Sequence, residues 1–311
     1  MILIIASKLK KVIVEKFIVS PMKTRLIGKK AINVFACDTG NVDQKTIQSF
    51  GDEWKSFSKF SDHEIKVAGD QYFDIVPANI YSGKYVLDVG CGTGRWSKYI
   101  SQMAGELEAI DPSEAVISAA ALLQDNENVR VSQASAGNIP FPDDTFDFVL
   151  SLGVLHHIPD TRRAMQKCID KVKPGGHFLV YLYYSLDNRG ILFRSLFCLS
   201  NFVRKIISLL PFKFKKLICD LIAFTIYLPF IFMSRILEII GFGKWLKYVP
   251  LSYYVGKSLN IIRNDALDRF GTPLEQRFSR NEIHKMLVDC GLTEIVFSEK
   301  EPYWHAIGKK N

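Results

Sequence analysis

The spacing of apolar residues predicts alternating strands and helices between residues 81 and 185. Tyr85-Val-Leu-Asp-Val89 is a short apolar run closed by glycines, the pattern of a strand buried on both faces. Residues 107–110, 129–133, 146–151 and 177–183 are four further strand candidates. Three-and-four periodicity predicts helices over 95–103, 113–124 and 161–172; Asp160 or Thr161 is the N-cap of the last, and Pro174-Gly175-Gly176 stops it. Near the C-terminus, Ser279-Arg-Asn-Glu282 has the form of a capping box ahead of Ile283, Met286 and Leu287, with Gly291 placed as C-cap. Residues 295–298 and 303–307 then read as two strands joined by a turn containing Pro302. Strand alternating with helix implies an α/β fold, a mostly parallel sheet with helices on both faces, here closed by an antiparallel C-terminal hairpin.

Two segments depart from that rhythm. In the first 20 residues, Ile2, Ile5, Leu9, Val12, Ile13 and Phe17 share one helical face and Lys8, Lys11 and Glu15 the other. This predicts a basic amphipathic helix that packs on the body or meets a membrane surface, with a poorly ordered extension as the alternative. Residues 186–260 interrupt the array as an insertion between the fifth strand and the last helix. Within it, residues 221–234 carry no charge between Asp220 and Arg235 and contain Pro229. A bilayer span needs about 20 apolar residues, so this run reads as too short to cross. Basic flanks (Arg204, Lys205, Lys213, Lys215 and Lys216 before it, Lys244 and Lys247 after) leave three readings: interfacial attachment, a lid admitting a greasy acceptor, or a cap packed on the domain.

Composition narrows the partners. In 311 residues, 48% hydrophobic and 23% charged content supports a substantial core and excludes wholesale disorder. The net charge of +8 is uneven: residues 1–30 hold +7 and 186–260 hold +8, while 31–80 sum to −4, 81–185 to −3 and 261–311 to zero. An acidic middle argues against nucleic acid as the main partner and points the basic segments at an anionic surface, with a membrane as the peripheral contact. Cys37, Cys91, Cys168, Cys198, Cys219 and Cys290 are scattered without a CxxC pair, so neither a disulfide framework nor a metal site is expected, and a cytoplasmic location is. The opening MILIIASKLKK lacks the charge order of a secretory signal.

The chemistry concentrates in Asp88-Val-Gly90-Cys-Gly92-Thr-Gly94, a GxGxG loop at a strand-to-helix junction. Glycines there let the backbone turn tightly and approach a ligand closely. The dinucleotide fingerprint would need a glycine where Arg95 stands, and no Walker lysine and serine follow. Asp111 ends the next strand, where a carboxylate can accept from both hydroxyls of a ribose.

Five ordered motifs now carry a resemblance. Val86-Leu-Asp-Val-Gly-Cys-Gly-Thr-Gly94, Ala109-Ile-Asp-Pro-Ser113, Asn138-Ile-Pro-Phe-Pro-Asp-Asp-Thr-Phe-Asp147, Val154-Leu-His-His-Ile-Pro-Asp160 and Lys173-Pro-Gly-Gly176 resemble class I S-adenosylmethionine-dependent methyltransferases, most of all the branch acting on quinones, lipids and other small molecules. The resemblance implies a Rossmann-like seven-stranded sheet with a helical insertion, and S-adenosyl-L-methionine as cofactor. It would place Gly90, Gly92 and Gly94 along the methionine part, Asp88 at the loop and amino group, Asp111 at the ribose, and Pro112 and Ile139 against the adenine faces. Relatives often carry an acid where this chain has Ser135, so adenine recognition would rest on Ser135 and on backbone around Ala136.

The resemblance also divides the chain: 1–30 an extension, 31–80 a helical lid segment, 81–185 the cofactor-binding core, 186–260 the insertion, and 261–311 the helix and strands completing the core. Trp54 would be a lid aromatic, or simple packing. Methyl transfer to oxygen or activated carbon needs a proton removed, and His156 and His157, at the carboxyl edge after the fourth strand, are the expected catalytic pair. Strand capping is the competing role for them. Tyr181, Tyr183 and Tyr184 would line the acceptor pocket or equally be core tyrosines, with Arg269 and Arg277 either gripping the acceptor or sitting in a solvated, salt-bridged loop. The acceptor class expected is small, amphipathic or lipid-linked; RNA or protein methylation and a non-catalytic cofactor-binding scaffold are the alternatives.

Overall fold

Among the described residues, which are 13–37, 40–56, 60–188 and 190–311 of the computed structural model, nine strands form one sheet. They are β1 (Lys23–Ile27), β2 (Lys30–Val34), β3 (Tyr85–Val89), β4 (Glu106–Asp111), β5 (Val129–Gln133), β6 (Phe146–Leu152), β7 (Val172–Tyr181), β8 (Leu292–Phe297) and β9 (His305–Lys310). Their order is β1-β2-β5-β4-β3-β6-β7-β9-β8. Pairing is parallel from β2 to β7, while β1, β9 and β8 run antiparallel to their neighbours. Every residue of β3 is buried, as its unbroken apolar run required.

The expected seven strands become nine because residues 23–34, expected partly in the basic extension (1–30) and partly in the helical lid segment (31–80), form a hairpin. The lysines there hid it. Lys30 is almost completely buried, its amine donating to the carbonyls of Asn126 at 2.5 Å and Val129 at 2.6 Å, where β5 begins. Arg25 pairs with Glu114 at 2.9 Å. Of the predicted N-terminal helix, residues 1–12 lie outside the described residues, and 13–20 are not helical. Phe17 packs there against Phe35 and Phe141, ring centroids 4.8 and 5.2 Å away.

Helices α1 (Gln44–Ser56) and α2 (Asp62–Tyr72) precede β3; α3 (Arg95–Ser101), α4 (Ala115–Leu122) and α5 (Thr161–Asp170) alternate with the strands. The insertion supplies α6 (Ile191–Ile207), α7 (Phe212–Ile222) and α8 (Leu228–Ile239), followed by α9 (Leu259–Gly271) and α10 (Arg280–Asp289). A π turn at Ala223–Tyr227 joins α7 to α8 into one run, Phe212–Ile239. Its 28 residues are long and apolar enough to cross a membrane by length and composition, which corrects the shorter estimate from the uncharged stretch alone. Pro229 lies inside this continuous run, directly after the π turn, where its missing amide interrupts the regular hydrogen-bond pattern. A separate apolar cluster of Ile207, Cys219, Ala223, Ile262, Ala266 and Leu267 packs α6 and α7 onto α9. The predicted capping box is present on α10, and Gly291 takes φ +88° just after that helix.

The C-terminal hairpin is locked by a polar contact to the turn just after α2. Asp74 accepts from His305 Nε2 at 2.8 Å and from Ser298 Oγ at 2.9 Å, and His305 is wholly buried. Asp74→Ala leaves both donors unpaired, so a loss of about 2–3 kcal/mol in urea unfolding is expected. A loss below about 0.5 kcal/mol would overturn this account of the lock.

Candidate active site

The carboxyl ends of β3 to β6, the face where open parallel sheets receive ligands, border a cavity of about 640 Å³. Insertion helices and α9 form its other wall. At the sheet edge the loop after β3 is drawn toward β4: the amides of Gly90 and Cys91 both donate to the Ile110 carbonyl, at 2.7 and 2.9 Å. Gly90 has φ +79°, and a Cβ there would lie 2.4 Å from Val154 Cγ2. Only glycine fits. Gly90 and Gly92 face the cavity, whereas Gly94 does not; a Cβ on Gly94 would meet Leu123 at 2.9 Å, so this glycine lets α3 pack closely on α4.

Two carboxylates sit at the ends of neighbouring strands with different partners. Asp111 lines the cavity and accepts from the Gly92 amide at 3.0 Å and from the Ser113 amide and hydroxyl at 2.8 and 2.6 Å. Asp88 lies deeper, outside the cavity wall; Oδ2 accepts from Ser97 Oγ at 2.6 Å, and Oδ1 has no partner. Burial raises both acids, Asp88 to about 7. Pro112, Ser135 and Ala136 also line the cavity, while Ile139 is buried in the core behind it.

The two histidines separate. His157 borders the cavity; its Nδ1 lies 2.7 Å from the Leu274 carbonyl, which makes Nδ1 the donor and leaves Nε2 an unpartnered acceptor. His156 is fully buried and does not reach the cavity; its ring stacks on Tyr183 with centroids 3.9 Å apart. Burial holds His156 well below the usual imidazole range and His157 down to about 4. Both rings are therefore neutral at pH 7.

The wall opposite the glycine loop holds two carboxylates that no local sequence motif marks. Asp265 and Asp268, three apart on α9, both face the cavity. Tyr183 donates its hydroxyl hydrogen bond to Asp268, and Asp265 is bonded to Tyr254. Burial raises both acids, Asp268 to about 6. Tyr181 and Tyr184 border the same space as Tyr183, together with Tyr72 and Tyr253. Arg269 and Arg277 also border it, but each is bound to Glu275, at 2.9 and 2.8 Å, and both guanidiniums lie over the Phe197 ring. The salt-bridged reading of that loop fits this geometry. The three-residue spacing of the two aspartates within an apolar helix was the available signal, since it puts both on one face. Trp54 falls on α1, with its side chain outside the described residues.

Comparisons with known proteins place a family match on the sheet-forming part of the chain. Residues 87–180 match the family model described as a methyltransferase domain. The chain is 28% identical over 138 residues to the uncharacterized methyltransferase YcgJ of Bacillus subtilis, covering 43% of this chain and 54% of that protein. It is 36% identical over 115 residues to a ubiquinone biosynthesis O-methyltransferase of Pseudomonas fluorescens, covering 35% and 47%. The chain thus spans about half the length of the curated relatives it matches. Among solved structures, human N-acetylserotonin methyltransferase in complex with SAM superposes with a TM-score of 0.49 at 16% identity, covering 85% of this chain and 57% of that one.

Asp88 supplies a test by pH. With its folded value near 7 and an ordinary value of 3.8, the unfolded chain ionises first on raising pH. The folded state then binds more protons between those values, and the Asp88 contribution to stability is lost as pH rises through that window, at up to about 1.4 kcal/mol per pH unit. Asp88→Asn carries no such loss. Ligand-free Asp88→Asn should therefore be no more stable than the native chain near pH 4 and more stable at pH 7.5, by urea unfolding. Identical pH slopes in the two proteins would refute the assignment.

Proposed function

We propose that this chain, whose residues 87–180 belong to the class I S-adenosylmethionine-dependent methyltransferases, moves a methyl group to an oxygen or carbon of a small, amphipathic or lipid-linked acceptor. One observation carries the reading: a single cavity runs from the glycine loop to the tyrosines and carboxylates of the opposite wall. The names of the ubiquinone O-methyltransferase relatives favour oxygen as the acceptor atom.

When bound, S-adenosylmethionine supplies an electrophilic methyl group on a sulfonium. The residues present fit it. Gly90 and Gly92 leave the loop backbone open to the methionine part beside the Cys91 and Thr93 side chains, and Asp88, buried behind the loop, would support the start of α3 through Ser97 without touching the cofactor. Asp111, already held by three donors, would accept from the ribose hydroxyls. Pro112, Ser135 and Ala136 would border the adenine, with Ile139 supporting them from the core.

On the acceptor side, we assign proton removal to Tyr183 and Asp268. The acceptor hydroxyl proton would pass to the Tyr183 oxygen as the tyrosine proton moves to Asp268, leaving a neutral carboxyl group and the acceptor electron pair free to bond to the methyl carbon. Asp268 near about 6 is a stronger base than His157 near about 4 and still ionised at neutral pH. His157 Nε2 would orient the acceptor hydroxyl. His156, without a face on the cavity, would hold the Tyr183 ring in place by stacking. Enclosure by tyrosine rings excludes water and fixes the approach, the main requirement for an in-line displacement.

Calorimetry tests the cofactor: S-adenosylmethionine should bind the native chain and not Gly92→Arg. No binding by the native chain would sink the reading. Turnover is followed as S-adenosylhomocysteine released with lipid and polar cell extracts, the product showing the mass of one added methylene. Asp268→Asn and Tyr183→Phe should each lower it about 100-fold while cofactor affinity holds. The native rate should fall as pH drops below about 6 and Asp268 takes a proton, and that limb should vanish in Asp268→Asn. Full activity in both variants would remove the pair from the mechanism.

A further inference from the structure

Helices α6 and α7–α8 each have a buried and an exposed stripe. Lys215, Cys219, Ala223 and Tyr227, four residues apart, and Ser234, seven further on, are buried along one side of the long run. Phe214, Leu217, Leu221, Phe224, Phe232 and Ile239 follow the same rhythm on the other side, and each is 47–75% exposed. On α6 and just after it, Ile191, Leu199, Phe202 and Leu209 are 63–83% exposed. So much apolar surface on consecutive turns is costly in water. Exposed Arg194, Lys205, Lys213, Arg235 and Lys244 are interspersed with it, against exposed Asp187 and Glu238. Trp245 and Tyr248, both more than half exposed, follow directly.

We propose that this face docks in the plane of an anionic phospholipid surface and that the acceptor enters the cavity from it. Charge complementarity selects this occupant: basic side chains among exposed Leu, Ile and Phe, with Trp and Tyr alongside, match the headgroup and acyl layers of an acidic leaflet. Spanning does not fit, although Phe212–Ile239 is long enough. That run is fixed along its buried side to α9, and Asp220 is paired with Arg263 at 2.8 Å and Lys216 at 3.1 Å, so crossing would carry these charges into hydrocarbon. Continuity with the cavity supports the entrance. Leu196 and Ile226 each line the cavity while remaining 47% and 46% exposed on the same helices. The docking face stands apart from the chemistry; its use as an entrance rests on the methyl-transfer reading.

Leu217 and Phe232 lie on the outer stripe and away from the cavity. The full chain is floated with phosphatidylcholine vesicles with and without about one third phosphatidylglycerol. It should partition to the anionic vesicles, be released by high salt or alkaline carbonate, and lose at least about tenfold in partitioning in the Leu217→Asp, Phe232→Asp double variant. Unchanged S-adenosylmethionine binding by calorimetry shows that the variant is folded and keeps the two readings apart. Failure of the native chain to float, or equal floating of the variant, overturns the docking face. Retention after carbonate extraction replaces it with a spanning helix. A native dimer in sedimentation velocity that the same substitutions dissociate replaces it with a second copy of the chain.

Discussion

Two carboxylates placed at the ends of adjacent buried strands set the conditions for the rest of this molecule. Asp88 and Asp111 close β3 and β4, where parallel pairing leaves strand carbonyls and the following loop in a confined space. Neither acid has a lysine or arginine against it; burial is the dominant influence on both. Asp111 resolves its position with three local donors, of which the Gly92 amide ties the glycine loop to the end of β4. Asp88 has one donor and an unsatisfied oxygen. The difference separates an acceptor that faces the cavity from a buried carboxylate that ties β3 to α3 through Ser97.

Helix α9 solves a second problem. Its Asp265 and Asp268 need a polar, enclosed setting, while Ile262, Ala266, Leu267 and Phe270 need apolar neighbours. Tyrosine hydroxyls meet the first demand and the insertion helices the second. One amphipathic helix therefore joins the polar end of the cavity to an apolar cluster separate from the two that sandwich the sheet. The wall facing the acceptor is only as rigid as the packing of α6 and α7 behind it.

What could be read from sequence was local. The run at Tyr85–Val89, the glycines after it and the Ser279 capping box each signal structure through neighbouring residues, and each is where the pattern placed it. What could not be read depends on distant partners. Lys30 looked like solvent-exposed charge because the carbonyls that hold its amine are about 100 residues away in the chain. The paired histidines drew notice as neighbours, yet burial puts only His157 on the cavity. Asp268 and Tyr183 are 85 residues apart, so no window on the sequence contains both. The uncharged stretch understated a helix whose first turns carry lysines, one of which, Lys215, is buried against the carbonyl of Gly271 at 2.7 Å.

The insertion also has a neck. Where the chain leaves the sheet after β7 and where it returns before α10, backbone hydrogen bonds join the two passages: the Phe278 amide donates to the Tyr183 carbonyl, and the Ser185 amide to the Phe278 carbonyl, both at 2.9 Å. Everything between is an excursion whose ends are already clasped. Doubling or halving such an excursion changes its closure cost by only about 0.6 kcal/mol, so its contents are interchangeable at little expense to the sheet. The wall opposite the glycine loop could thus be rebuilt by exchanging the excursion, leaving the strand ends on the other side of the cavity untouched.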